Sequence, residues 1–350
     1  MYKTWSKLGV AGALSAVLAL TAGCSQTSEP PAPDPSASSS ESSIEDLITA
    51  AKAEGSVTVY TTIGAAAAKV QVEAFTEKYG IRADMVRLAG GQMDQRFTAE
   101  VNSSGGTSAD ILFTTNNILI SDSMKSGALI ALDKAEIPGF PWDFPKQFLP
   151  ADGSAITLLE PVGIAYNTDL VKGDDIPRSW TDLLDAKWKG KIGVSNPAAS
   201  VAQTAAWAVI EDKVGDDFLT KLGTQGLKVY AASAPVNGAL GAGEILLAAN
   251  LTATSMVSAK QSGAPVGIAF PDDTSGIEVS AGIVAKAAHP NAARLFALYA
   301  MSEEGALVLA KVTEAVSPYD TADLPKNYTA PDLVGATKLL AEVSSKLGVK

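Results

Sequence analysis

Apolar and polar positions along this chain change character near residue 43. Beyond that point Ile44, Leu47, Ile48 and Ala51 lie three or four apart behind Ser42-x-x-Glu45, which predicts a capped helix closed by Gly55. Ser56–Tyr60 predicts a strand, 61–64 a loop, and Ala65–Tyr79 a helix stopped by Gly80. Arg82–Leu88 predicts a second strand, followed by the Gly90-Gly91 loop and a helix with Met93, Phe97 and Val101 on one stripe. Asp110–Phe113 predicts a third strand running into the polar Thr114-Thr115-Asn116-Asn117. Strand, loop and helix alternating in this way predict an α/β fold with a mainly parallel sheet flanked by helices.

The same reading continues through the chain. Gly163–Tyr166 and Lys191–Val194 predict strands, with a short helix Trp180–Ala186 between them behind Ser179 and Asp182. Ala198–Lys213 predicts a helix, Lys228–Tyr230 a strand, Val236–Ala242 a short helix and Glu244–Ala249 a strand. Gly263–Phe270 is expected to be a strand returning to the first half. His289-Pro290 opens a helix through Met301, Ser302–Ala310 continues it, and Asp332–Gly348 is a last amphipathic helix.

Ahead of residue 43 no globular pattern exists. Lys3 and Lys7 precede an apolar run, Leu8–Leu20, and small residues lead to Gly23, which predicts a signal peptide over 1–23. Leu20-Thr21-Ala22-Gly23-Cys24 resembles a bacterial lipobox, in which the cysteine is lipidated and becomes the mature N-terminus. Residues 24–43 are rich in Ser and Pro and predict a disordered tether.

Composition then removes several classes of function. Lys plus Arg number 27 against 38 Asp plus Glu, which argues against nucleic acid as a partner. One cysteine and one histidine exclude an intrachain disulfide and a Cys/His metal cluster. Glu278-Val279-Ser280-Ala281-Gly282 has Glu where a nucleophile elbow needs glycine, and no phosphate loop of the P-loop type occurs. No catalytic residue, metal or cofactor is expected, although an enzyme on the same scaffold stays open because fold does not fix function. A surface adhesin or sensor without a small ligand is the other rival. At 350 residues the chain is expected to form two lobes.

AYNTDLV at 165–171 and IPRSWTDLLDAKWKGKI at 176–192 resemble a block of the bacterial extracellular solute-binding proteins that serve ABC importers. The resemblance is to the subfamily similar to iron(III)-, putrescine- and phosphonate-binding members, and AKAEGSVTVYT, FTEKYGI and HPNAA extend it over about 44–310. It implies a two-lobed, type II periplasmic-binding-protein-like fold with the ligand cleft between lobes. The expected division is 44–158 for the first part of lobe 1, 159–269 for lobe 2, 270–310 for the rest of lobe 1, and 311–350 for a C-terminal helical segment. The implied partners are a small-molecule solute, an ABC permease and its ATPase. The protein is expected to be a monomer on the outer face of the cell membrane, anchored through Cys24.

In open α/β sheets, ligands bind beyond the carboxyl ends of strands, where helix N-termini favour anions and polar oxygens. The loops that qualify carry Thr61, Thr62, Thr115, Asn116, Ser195, Ser200, Ser233 and Thr254, and each is also a plausible cap or turn. The resemblance implies solute contact by Ser200, although Val201-Ala202 stand where the family often has Gly-Thr. Iron-binding relatives carry adjacent tyrosines near the place of Ala253-Thr254-Ser255-Met256, so a ferric site is not expected. The expected solute is a small anion or zwitterion. A polyamine held through Asp272 and Asp273 is the runner-up, and a simple turn is the alternative role for those two residues.

Overall fold

The structure is a computed structural model that describes residues 43–349. The expected signal peptide, Cys24 and nearly all of the tether lie outside the described residues. The first element is α1 (Ile44–Glu54), and its cap differs by one position from the expected Ser42/Glu45 pair. Ser43 accepts the Asp46 N–H at 3.1 Å while the Asp46 carboxylate accepts the Ser43 N–H at 3.2 Å. Gly55, at φ 82°, closes the helix in the left-handed region that only glycine enters freely. There follow β1 (Ser56–Thr61), α2 (Ala65–Tyr79), β2 (Arg82–Arg87), α3 (Gly90–Val101), β3 (Ile111–Thr114), α4 (Asn117–Ser126) and β4 (Leu129–Ile130).

The long strand β5 (Ala155–Asn167) leads into the second half. Next come β6 (Ile192–Ser195), α5 (Val201–Val214), α6 (Phe218–Gly223), β7 (Lys228–Tyr230), α7 (Ser233–Gly241), β8 (Leu247–Thr252), α8 (Ala253–Gln261) and β9 (Val266–Ala269). The chain ends with β10 (Gly276–Val284), α9 (Pro290–Ala300), α10 (Glu303–Thr313) and α11 (Leu333–Lys346). The expected helix over Trp180–Ala186 is instead a pair of 3-10 turns, Trp180–Leu184 and Ala186–Trp188. The indole NH of Trp180 donates to the Asp273 carbonyl at 2.8 Å, so tertiary anchoring replaces a longer helix. The strand expected over Glu244–Ala249 sits later, as β8.

Strand order is β2-β1-β3-β10-β5-β8-β6-β7, with β4 on β10 and β9 on β5. β1, β2 and β3 are mutually parallel, as are β6, β7 and β8, while β10 and β5 run antiparallel to each other and to their neighbours. Two sequence expectations fail here. Gly163–Tyr166 is only the end of a 13-residue strand. The segment expected to return to the first half, Gly263–Phe270, forms β9 and pairs with the far end of β5, Tyr166 opposite Gly267. β10 makes the return instead; its Ile277-Glu278-Val279-Ser280-Ala281 alternates apolar and polar, yet all of it but Ile277 is buried.

Apolar packing follows the two halves. Leu47, Val59, Phe75, Ile111, Phe113, Phe296 and Tyr299 pack on one face of the first-half sheet, and Tyr60, Met93, Phe97, Leu112 and Ile120 on the other. Trp180, Trp207, Ile210, Phe218 and Leu222 form the main core of the second half, and α11 docks there through Val343 and Leu347. A smaller cluster spans the halves: Ala202 and Ala205 of α5 with Leu333 and Ala336 of α11, joined by Ile118 of α4 and Ile277 of β10.

Candidate functional site: the cleft between opposing strand ends

Register places the two halves face to face. The β3 ladder reaches Thr114 opposite Ser280, and Ser280 lies opposite Ile156 of β5. The β8 ladder ends at Thr252 opposite Val162, six residues further along the same strand. β3 runs with β5 and β8 runs against it, so their carboxyl ends point at each other. At roughly 3.3 Å per residue the gap between them is about 20 Å, and β5 and β10 form its floor.

On the first-half wall, Thr61 is buried and its Oγ1 accepts the Ile63 N–H at 3.0 Å, closing the turn after β1. Thr62 Oγ1 accepts the Thr115 N–H at 3.2 Å, which ties two strand ends together. Asn116 is committed to the scaffold. Its Oδ1 accepts from Ile118 and Leu119 as the cap of α4, and its Nδ2 donates to Asp94 Oδ2 at 2.7 Å. Burial raises the Asp94 carboxyl, and its other oxygen has no partner among the described residues.

The second-half wall is a polar cluster. Ser195 and Ser233 hydroxyls stand 3.4 Å apart, Gln203 Nε2 donates to Ser233 Oγ at 3.1 Å, and Asn250 Nδ2 donates to the Gln203 carbonyl at 2.9 Å. Asn250 sits at φ 59°, where the β5–β8 register shifts opposite Gly163 and Ile164. A non-glycine residue held there is strained, a feature that gathers at functional sites. Ser200 stands at the start of α5 without capping it. Ile118, three residues after Thr115, and Val201, next to Ser200, pack in the same cluster, which brings these two loops together over the floor. Thr254 lines a cavity of about 320 Å³ with Gly64 and Ala65 of the α2 start, Ser258, Lys260 and Lys311.

Asp272 is not gathered with these residues. It occupies an exposed turn whose carbonyl accepts the Asn327 N–H at 2.9 Å, while Asp273 Oδ1 accepts from Asn327 Nδ2 at 2.8 Å. His289 begins α9, and its Nδ1 lies 2.9 Å from Asp110 Oδ2, which also accepts the Thr58 N–H at 2.8 Å. That contact pins α9 to β1 and does not reach the cleft loops.

Sequence reasoning missed Gln203, Asn250 and the floor. Glu160 pairs across from Ile277 and Glu278 across from Leu159, between the two sets of strand ends, where among the described residues Val316 alone bridges to Leu159. Burial pushes the Glu160 carboxyl up to about 7, against the lowering contact of the Thr252 hydroxyl. Burial also raises Glu278, which accepts the Tyr328 hydroxyl at 3.2 Å. An available signal was Glu160 itself, a charge inside the apolar run Ala155–Tyr166.

Electrostatics of the walls come from backbone. α2, α5 and α7 begin without a side-chain cap and without an acidic residue in the first turn. The contrast with the rest of the chain is partial: α1 and α10 carry Ser caps and two acids each in the first turn, α6 and α9 also start without a cap or an acid, and at the cleft α4 and α8 are capped by Asn116 and Thr252. Uncapped, acid-free starts leave N–H groups and a partial positive charge for an anion or a polar oxygen.

Two α/β halves with opposed strand carboxyl ends, joined through two crossing strands, form a cleft in a periplasmic-binding-protein-like fold. The chain belongs to a bacterial extracellular solute-binding protein family, whose model matches residues 107–334, well over half of its length. The chain is similar to the substrate-binding protein of an ABC transporter from Agrobacterium tumefaciens, with a TM-score of 0.71 and 18% identity over 83% of this chain and 94% of that one. It is also similar to iron-bound HitA from Pseudomonas aeruginosa, with a TM-score of 0.63 and 21% identity over 82% and 99%. AfuA from Actinobacillus pleuropneumoniae, with fructose-6-phosphate bound, gives 0.62 and 20% over 85% and 99%. An uncharacterized protein of Haemophilus influenzae is 23% identical over 265 residues, 73% of this chain and 75% of that protein. These likenesses confirm the α/β, two-lobed fold expected from sequence. By family the protein is an extracellular solute-binding protein.

Proposed function

We propose that the chain captures a small anionic or zwitterionic solute outside the cytoplasm and delivers it to an importer. The observation that supports this most is the set of uncapped, acid-free starts of α2, α5 and α7 around the cleft. A cation carrier would place acids there. The halves move as lobes 44–158 with 270–310 and 159–269, flexing where β5 and β10 cross, and α11 travels with the second lobe through its packing on α5. Solute shifts the population toward the closed form by binding it more tightly than the open one. Thr61, Thr62, Thr115, Ser195, Ser200, Ser233 and Thr254 supply polar contacts, with Asn116 shaping the first wall. The closed monomer is then read by a permease coupled to an ATPase, and Cys24 holds the protein to the outer face of the membrane.

Ferric iron is not the cargo in this reading, because Thr254 and Ser255 offer neutral oxygens where an iron(III) site needs anionic ones. A thermal-shift screen of carboxylates, phosphate esters, zwitterions and ferric citrate on the purified chain tests it, paired with small-angle scattering. Stabilisation by an anionic or zwitterionic compound with compaction is expected. Stabilisation by ferric citrate alone, with a coloured preparation, overturns it.

A further inference from the structure

Two buried carboxyl groups stand on the crossing strands without a cationic partner among the described residues, and register turns them to opposite faces: Glu160 shares a face with Ile277, and Glu278 shares the other with Leu159 and is held by Tyr328. Glu160 is 9% exposed and Glu278 8%. Among the described residues no lysine, arginine or histidine pairs with either. The donor that reaches Glu160 is the Thr252 hydroxyl, whose oxygen already accepts the Ser255 N–H at 3.2 Å. An apolar residue at 160 would continue the run between Leu158 and Val162 without that cost. The second-half wall adds acceptors without donors: Asn237 Oδ1 and Asn250 Oδ1, in side chains 5% and 3% exposed.

The cleft therefore presents two unmatched sets. Helix starts offer N–H groups without acceptors, while Glu160 has one hydroxyl donor and no cation, and the Asn237 and Asn250 oxygens have no donor among the described residues. A solute with only an anionic group satisfies the first set and leaves the second bare. We infer that the solute is a zwitterion, with its anionic end at the uncapped helix starts and its ammonium group received by Glu160. Glu160 is thus a specificity-determining residue of the cleft. This inference rests on the cleft being the solute site. The titratable group that feels Glu160 is Tyr328 from the C-terminal segment; Glu278 on β10 faces the other way, and β8 contributes the neutral Thr252. A Glu160 carboxyl near half-protonation at pH 7 gives up its proton when an ammonium arrives beside it.

Calorimetry of the purified chain with matched probes tests this: γ-aminobutyrate against butyrate, and phosphoethanolamine against ethyl phosphate, with 1,4-diaminobutane as a cation control. The amino member of a pair should bind at least ten-fold more tightly than its des-amino partner, and Glu160→Gln should bring that ratio close to one. Should Glu160→Gln not fold, wild-type protein titrated at pH 7 in two buffers of different ionisation enthalpy gives an independent reading. Proton release should accompany the amino member and be missing for its partner. Equal affinity within both pairs, a preference that survives Glu160→Gln, or tightest binding of the diamine overturns the zwitterion inference while leaving the cleft as the site. If no probe binds or compacts the protein, the anion-or-zwitterion reading of the cleft falls and takes this inference with it.

Discussion

The Tyr328 hydroxyl donates to Glu278 Oε1 at 3.2 Å, joining the C-terminal segment to the crossing strand β10 at the cleft floor. Gly276 makes the approach possible, because a Cβ there would lie 2.8 Å from the Tyr328 ring and 2.7 Å from the Glu160 carbonyl oxygen. Burial raises the Glu278 carboxyl and this hydrogen bond opposes the rise. Tyr328→Phe should therefore push Glu278 higher still. Its cost to stability should be about 2 kcal/mol where the carboxylate is charged and smaller where it is protonated, so the loss should be greater at pH 8 than at pH 4. Urea unfolding of both proteins at the two pH values measures it, and equal losses would mean that the hydroxyl does not act on the charged form.

Glu160 gives a pH dependence of fixed sign. Its folded carboxyl lies near 7 and its unfolded one near 4.5, so the folded state binds more protons between those values. Ligand-free stability should fall as pH rises from 4.5 to 8, by roughly 3 kcal/mol at most. Glu160→Gln should flatten that slope, leaving the part that Glu278 contributes in the same direction. A stability that rises over this range would contradict the burial of Glu160.

Thr115 and Ser200 lie beside Ile118 and Val201 in loops that meet over the floor, and neither caps a helix through its side chain. Thr115→Ala and Ser200→Ala should each weaken solute binding about three- to a hundred-fold, depending on the charge of the group contacted. The ligand-free Tm should barely move. A comparable loss of Tm with and without solute would assign them structural roles.

Cys24→Ala should release the protein from the membrane fraction without altering the fold of the body. Among the described residues no helix is long and apolar enough to cross a membrane. Fractionation followed by blotting decides it, and retention equal to wild type would remove the lipid anchor. Stable attachment needs more than one acyl chain, so partial acylation should give partial release.

Much of the fold was legible because its signals are local. Gly55 and Gly80 mark helix ends that need a left-handed residue, and both stand at φ values of 82° and 69°. The apolar stripe Met93–Phe97–Val101 and the paired runs at 56–60 and 110–113 announce helix and sheet from spacing alone. The hydroxyl and amide loops at 61–62, 115–116, 195–200 and 233 do lie at strand ends, as a parallel α/β reading requires.

What the sequence could not decide depends on partners distant along the chain. β9 and β10 both read as strands, and only pairing with opposite ends of β5 shows which one crosses between the halves. Asn250 and Gln203 meet because β8 and α5 pack together, 47 residues apart in sequence. Glu160 and Glu278 are far apart in the chain, and antiparallel register sets them on neighbouring pairs that point to opposite faces of the crossing strands. Local propensity determines which elements form. Register and burial, which are properties of the assembled sheet, decide which side chains are stripped of water and gathered between the strand ends.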